Sequence, residues 1–93
     1  MAKKPKVHEY IEAQLKLCGK SQKQVAAEAG FKHPNILSMI KSNLTKLPVP
    51  RVNALADSLG VSRVRLMRLV LAEDYPDILE AIEHSLGKVI PDD

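Results

Sequence analysis

The side chains most capable of chemistry in this 93-residue chain are three histidines and a single cysteine. His84 lies one helical turn after Glu80, a spacing at which two side chains can share a metal ion, although a surface ion pair is the favoured interpretation. Cys18 follows Leu15 on an apolar stripe, which is typical of a small core residue rather than a nucleophile. No glycine-rich phosphate loop, paired-acid site or catalytic-triad spacing accompanies them. The sequence therefore predicts a protein that is not an enzyme and has no metal or cofactor.

The composition predicts one small folded domain. A chain of 93 residues with 45% hydrophobic content is large enough for a single core that buries about two-thirds of the unfolded surface. One cysteine excludes an internal disulfide and a structural metal site built on several thiolates. No apolar run approaches the roughly 18 residues of a membrane span, and the start MAKKPKVHEY lacks the apolar segment of a secretion signal. We therefore expect a cytoplasmic protein that does not enter a membrane.

The net charge of +3 is divided unevenly along the chain. Residues 1–46 carry nine lysines against three glutamates, whereas residues 47–93 carry five basic and eight acidic side chains. Lysine and arginine attract DNA of any sequence, because their contacts with phosphates release condensed counterions. Charge alone suits either a solvated surface or a polyanion-binding face. The basic half is thus the part of the chain expected to contact a nucleic acid.

Apolar residues recur at helical spacing along the chain, which predicts six helices. Ser21 and Ser62 are suitable N-caps for the second and fifth helices, and Gly30 and Gly60 end the second and fourth. Pro76 breaks the chain again and begins the sixth. The predicted fold class is therefore all-α, with five helices in one domain and an additional helix at the C-terminal end.

The stretch SQKQVAAEAGFKHPNILSMI is typical of two short helices hinged at Gly30. We expect the second of them over about residues 33–42, with Ile36, Met39 and Ile40 as its apolar contacts. Two short helices arranged in this way form a helix-turn-helix, whose second helix fits the major groove of B-DNA. Base edges in that groove display a readable pattern of donors and acceptors. The stretch therefore indicates DNA binding.

The segment SQKQVAAEAG, the Ile36 and Met39 positions and the later LADSLGVS resemble the helix-turn-helix domain of Cro and the phage repressors, often called the XRE family. The resemblance covers about residues 7–72 and extends more loosely through YPDILEAI. It implies a five-helix domain that binds operator DNA, commonly as a two-fold dimer. We therefore expect a basic N-terminal arm over residues 1–6, the DNA-binding domain over 7–72, and a C-terminal helix with a short tail over 73–93.

The resemblance also implies which side chains contact double-stranded DNA. Asn35 falls where a side chain reads bases, because an Asn amide can accept from and donate to an adenine edge together. His33, Pro34 and Ser38 fall on the other groove-facing positions. Gln22 falls where the start of the second helix holds a phosphate. Further phosphate contacts are expected from Lys23, Lys32, Lys41, Asn43 and Lys46.

Three departures from the family pattern leave alternative functions open. Leu37 occupies a position that is usually polar and near DNA, so it indicates either contact with a thymine methyl or a surface that binds protein. Pro34 brings no polar group, and Lys32 replaces the usual Ser or Thr cap. The favoured function is a transcriptional regulator, specifically a repressor that binds a two-fold operator. The alternatives are an antitoxin-like protein that also binds a partner protein, and a helical interaction module that has lost DNA binding.

Apolar residues after the DNA-binding unit exceed what one small core needs. Part of this surface is expected to form a homodimer interface, as two-fold operators require. The alternative is that the sixth helix only packs back and covers the core. The candidate interface residues are Leu69, Ile78, Ile82 and Leu86.

Overall fold

The computed structural model describes residues 6–87, in which every regular element is helical. The predicted all-α class, with five helices and an additional C-terminal helix, is confirmed. Residues 1–5 of the expected arm and residues 88–93 of the expected tail lie outside the described part. The elements are α1 (Val7–Leu17), α2 (Gln22–Glu28), α3 (Asn35–Lys41), a 3₁₀ turn (Val49–Arg51), α4 (Val52–Leu59), α5 (Arg63–Asp74) and α6 (Pro76–Leu86).

The ends of several helices follow local signals in the sequence. The Ser21 hydroxyl accepts a hydrogen bond from the backbone N–H of Gln24 at 3.0 Å, and the Ser62 hydroxyl accepts one from Arg65 at 3.2 Å. These bonds satisfy N–H groups that have no partner within their own helix. Gly30 follows α2 with a φ of +86°, in the region that favours glycine. The turn between α2 and α3 therefore begins at the expected residue.

One hydrophobic core joins α1 to α5. α4 lies at its centre and contacts both α2 and α5. α6 packs against α5 but contributes no buried residue of its own. The core consists of Val7, Ile11, Val25, Ala26, Ala29, Leu37, Ile40, Leu47, Val52, Leu55, Ala56, Leu59, Leu66 and Val70.

The first helix is tied at its start to two distant parts of the chain. The backbone N–H of Val7 donates to the Glu73 carboxylate in α5 at 2.9 Å. The His8 Nδ1 atom lies 3.3 Å from the carbonyl oxygen of Lys41, the last residue of α3. Because a helix start leaves N–H groups without intrahelical partners, the Glu73 contact satisfies one of them. α1 thereby fixes the C-terminal end of α3 relative to α5.

A polar cluster around Glu28 ties the end of α2 to α4. The Glu28 carboxylate accepts hydrogen bonds from Lys20 Nζ at 2.8 Å, from the Ser58 hydroxyl at 2.7 Å and from Gln24 at 3.0 Å. Lys20 also donates to the carbonyl oxygen of Ser58 at 2.9 Å. These donors, the Lys20 ammonium first among them, lower the pKa of Glu28 from 4.5 to about 2. The ionised carboxylate therefore holds the first helix of the helix-turn-helix against the core.

The Glu28 cluster should make stability depend on pH in the acid range. Because the pKa of Glu28 is lower in the folded chain than in the unfolded one, its contribution is fully present above about pH 4.5 and is lost as the pH falls towards about 2. Glu28→Gln is expected to lower the free energy of unfolding at pH 6 and to flatten its decline between about pH 5 and pH 2. Urea unfolding followed by circular dichroism at each pH measures both effects.

The matched control is Glu12→Gln. The Glu12 side chain is exposed and forms no hydrogen bond or ion pair with other residues in the range 6–87, so this variant should follow the wild-type pH curve. Some pH dependence will persist in both variants, because hydrogen bonds from Arg63 also lower the pKa of Asp57. Identical curves for the wild type and Glu28→Gln would contradict the assignment of the acid transition to the Glu28 cluster.

Candidate nucleic-acid interface

The third helix presents one polar face to solvent and one apolar face to the core. Leu37 and Ile40 are buried, with 0% and 1% of their surface exposed. Positions 35, 38, 39 and 42 recur at three- and four-residue spacing, so they share the opposite side of the helix. All four are exposed. We call this surface the α3 face, and it consists of Asn35, Ser38, Met39 and Ser42.

The structure corrects the expected start and register of this helix. α3 begins at Asn35, with Pro34 in the N-cap position, rather than at about residue 33. Four residues separate Gly30 from α3, which delays the start of the helix. Each residue turns an α-helix by about 100°, so neighbouring side chains point in different directions. The residues of α3 that are buried are Leu37 and Ile40.

Two side chains of α3 lie on the side of the helix opposite to the one expected. Leu37 was expected to contact a thymine methyl or a protein partner, and that expectation is wrong, because the side chain lies in the core. Met39 was expected to contact the core, yet 39% of its surface is exposed. Ile36 is half-buried and packs against the edge of the core. Sequence reasoning missed Met39 and Ser42 as members of the α3 face, although both lie four residues after predicted contact residues.

A direct hydrogen bond joins the two helices of the helix-turn-helix on their exposed side. The Gln22 side-chain amide donates to the Ser38 hydroxyl at 2.6 Å. The two side chains were predicted to contact phosphate and base respectively, and the structure brings them together. The Gln22 amide keeps its carbonyl oxygen and a second N–H for other partners. The start of α2 and the middle of α3 therefore form one continuous polar surface.

Of the predicted contact residues before α3, Gln22 is half-buried and the others are exposed. Lys23 lies in the first turn of α2, next to Gln22. Lys32, His33 and Pro34 lie in the segment between α2 and α3 rather than inside α3. His33 and Pro34 were expected on groove-facing positions of the helix, so this part of the prediction changes. Their segment instead precedes the first turn of α3.

The predicted phosphate contacts after α3 differ in their surroundings. Lys41 is half-buried at the end of α3. Asn43 is exposed in the following turn and has a φ of +60°, an uncommon value for a residue with a side chain. The Lys46 ammonium lies 5.9 Å from the centre of the Tyr75 ring, a distance at which a cation is attracted to an aromatic face. Lys46 thus has a contact of its own within the domain.

The four candidate interface residues are not equally accessible. Ile78 and Leu86 are 51% and 78% exposed, whereas Ile82 is half-buried. Leu69 is also half-buried, and it packs against the core. A groove of about 400 Å³ runs between α5 and α6, with one wall formed by Leu79 and Ile82. The remaining lining residues are Asn53, Arg63, Val64, Met67, Arg68, Leu71 and Glu83.

The other chemistry-bearing side chains form no larger cluster. His84 Nε2 lies 3.9 Å from a Glu80 carboxylate oxygen, and both side chains are mostly exposed, so they form an ion pair when His84 is protonated. Within residues 6–87, no group of three or more His, Cys, Asp or Glu side chains is placed to hold a metal ion. Cys18 is half-buried, and its thiol donates to the Leu15 carbonyl oxygen at 3.4 Å. None of the helices in this range has the length and apolar character that a membrane crossing needs.

Comparison with known protein families identifies a matching family. A family model described as helix-turn-helix, of the Cro and phage-repressor type, matches residues 11–66. The matched range is more than half of the chain and contains α2, the turn at Gly30 and α3. No curated protein and no solved structure matches the chain significantly.

Proposed function

Since the chain belongs to the Cro and phage-repressor (XRE) family of DNA-binding helix-turn-helix domains, we propose that it is a sequence-specific transcriptional repressor. The proposed binding site is a two-fold operator, occupied by a homodimer. The observation that carries this proposal is the α3 face, which is exposed and polar except for Met39, while the other side of α3 is anchored in the core by Leu37 and Ile40. A helix held in this way can enter a major groove without losing its position in the domain.

The α3 face offers complementary groups for base edges. Asn35 is the first residue of the helix, and recognition helices contact bases mainly with their N-terminal residues. An Asn amide can form two hydrogen bonds to adenine, and the Ser38 hydroxyl can bond to any base. Met39 supplies an apolar surface for a thymine methyl. Met39 thus takes the part in base reading that the sequence had suggested for Leu37.

Phosphate contacts are proposed for the side chains around this face. Gln22 and Lys23 lie at the start of α2, and Lys32 lies in the segment before α3. Lys41 is the last residue of α3, and Asn43 and Lys46 follow within five residues of it. Contacts with phosphate position a protein on the duplex but carry no sequence information. The proposed division is therefore base reading by α3 and positioning by the residues on either side of it.

The experiment that tests this function is selection of bound duplexes from a random pool with the full chain. Enrichment of one sequence with two related half-sites about one helical turn apart supports a two-fold operator. Retention of the pool without enrichment would leave only non-specific binding and contradict the proposed repressor. An absence of binding at low salt would contradict DNA binding altogether, because the electrostatic attraction is strongest there.

The homodimer is proposed to form through α6. The support is that α6 has no buried residue in the single chain, while Ile78 and Leu86 on it are largely exposed. We expect sedimentation equilibrium at micromolar concentration to give twice the 10.3 kDa mass of the chain, and Ile78→Lys to shift the protein towards monomer. Leu44→Lys is the control, because Leu44 is 74% exposed but lies outside α5 and α6. A wild type that stays monomeric even on DNA would contradict the proposed dimer.

The two alternative functions lose part of their support. The antitoxin-like interpretation was suggested by Leu37 and by surplus apolar surface. Leu37 is buried, whereas the α5–α6 groove and the exposed Ile78 and Leu86 remain. The interpretation without DNA binding was suggested by Pro34 and Lys32. Both precede α3 and leave the α3 face intact. The selection experiment separates the proposed repressor from a module without DNA binding.

A further inference from the structure

We propose that Arg51 binds a DNA phosphate. Gly30, which has no side chain, allows the Arg51 guanidinium to pack on the turn of the helix-turn-helix. This inference rests on the proposed DNA binding and adds a contact that the family resemblance did not suggest. Arg51 is the last residue of the 3₁₀ turn before α4, and Gly30 begins the turn between α2 and α3. The two are far apart in sequence but adjacent in the fold.

The Arg51 guanidinium packs directly against Gly30. A Cβ atom at this position would lie 2.8 Å from Arg51 Nη1, 3.5 Å from Cζ and 3.9 Å from Nε. The guanidinium group therefore occupies the space that a side chain on residue 30 would fill. Gly30 thus serves two purposes, because its φ of +86° also favours glycine.

The positive charge of Arg51 has no acidic partner within the described part of the domain. No side chain in residues 6–87 forms an ion pair or hydrogen bond with the Arg51 guanidinium. Arg63, in contrast, donates twice to the Asp57 carboxylate, at 2.7 and 2.5 Å. A guanidinium carries five donors in a rigid plane that matches phosphate oxygens in pairs. Arg51 is exposed and its guanidinium packs over the turn at Gly30 that leads into α3, so this group has both the charge and the donors for a DNA phosphate.

The backbone of Arg51 is held in place before any ligand arrives. Val52 follows it and is fully buried, and Leu47 is buried four residues earlier. Pro48 and Pro50 restrict the chain between them, and the Arg51 N–H donates to the Pro48 carbonyl oxygen at 2.9 Å. Because this segment is already ordered, binding a phosphate costs little further backbone entropy.

The test measures binding of the full chain to a 30-base-pair duplex of random sequence over a series of salt concentrations. Such a duplex suffices because phosphate contacts do not depend on base sequence. Arg51→Ala is expected to weaken binding about 3- to 10-fold and to reduce the slope of log affinity against log salt by about 0.9. Arg51→Lys should keep the wild-type slope, because it keeps the charge, but should bind more weakly because it lacks the planar fork.

The control is Arg63→Ala, which changes the net charge by the same amount but removes an arginine already paired with Asp57. It should change affinity and slope less than Arg51→Ala does. A wild type that binds no DNA overturns the proposed function and this inference with it. A wild type that binds, together with an Arg51→Ala variant of unchanged affinity and slope, overturns the assignment of Arg51 alone. Two further results would also overturn it. One is a loss of affinity in Arg63→Ala equal to that in Arg51→Ala, and the other is a salt slope in Arg51→Lys that is as low as in Arg51→Ala.

Discussion

Leu37→Ala is expected to lower the free energy of unfolding by about 2 to 5 kcal/mol. The Leu37 side chain is fully buried beneath α3, so truncation removes apolar contacts and leaves a cavity between that helix and the core. A small domain has about 5 to 15 kcal/mol of stability in total, and a loss of this size removes a large part of it. Urea unfolding followed by circular dichroism measures the loss. An unchanged m-value, which is the slope of the unfolding free energy against urea concentration, would show that unfolding still exposes the same amount of surface.

Met39→Ala is the matched control for this prediction, because Met39 lies on the same helix but on its exposed side. Its stability should stay within about 0.5 kcal/mol of the wild type. The affinity of the Met39→Ala variant for a selected DNA site should fall, because Met39 is proposed to contact a thymine methyl. The reverse pattern, with Leu37→Ala tolerated and Met39→Ala destabilised, would return α3 to the register first expected from the sequence.

The sequence was sufficient for those parts of the fold that depend on neighbouring residues. Ser21 and Ser62 cap helices because each hydroxyl reaches an N–H three residues later. Gly30 ends the first helix of the motif because the turn needs a positive φ. Pro76 begins α6 because its missing N–H has no partner to lose there. Each signal acts within one helical turn, so the order and number of helices could be predicted.

Local signals of this kind do not decide which side of α3 is buried. Ile36, Leu37, Met39 and Ile40 place four apolar side chains in five positions, and more than one pair of them has the spacing of a buried helical face. The packing of α3 against the rest of the domain decides between these pairs, and it buries Leu37 and Ile40. The sequence therefore predicts that the candidate site lies on α3, but it does not predict which side of α3 is exposed.

Contacts between distant parts of the chain were also beyond the sequence. The Glu28 carboxylate meets Ser58 thirty residues later, and Arg51 occupies the space over Gly30. Neither pair has a spacing that repeats or a motif that joins its members. Both pairs involve the turn or the helix that precedes α3. The precise placement of the proposed DNA-binding helix thus rests on interactions that only the folded chain reveals.

Asn35→Ala is expected to remove about 1 to 3 kcal/mol of discrimination at one base position of the selected site. Asn35 is exposed at the start of α3, where a recognition helix reaches base edges, and its amide can form two hydrogen bonds to adenine. The stability of the fold should change little, because the side chain has no hydrogen-bond partner within residues 6–87. Selection from a random pool, repeated with the variant, identifies the position at which preference is lost.

Two comparison variants show whether the loss belongs to base reading. Asn53→Ala removes an exposed amide from α4 and should keep the full sequence preference. Lys41→Ala should weaken binding to all sequences alike and flatten the salt dependence by about one charge, because a phosphate contact carries no sequence information. If Asn35→Ala instead weakens all sequences alike and keeps the preference, the residue contacts the backbone, and base reading must lie further along the α3 face at Ser38, Met39 and Ser42.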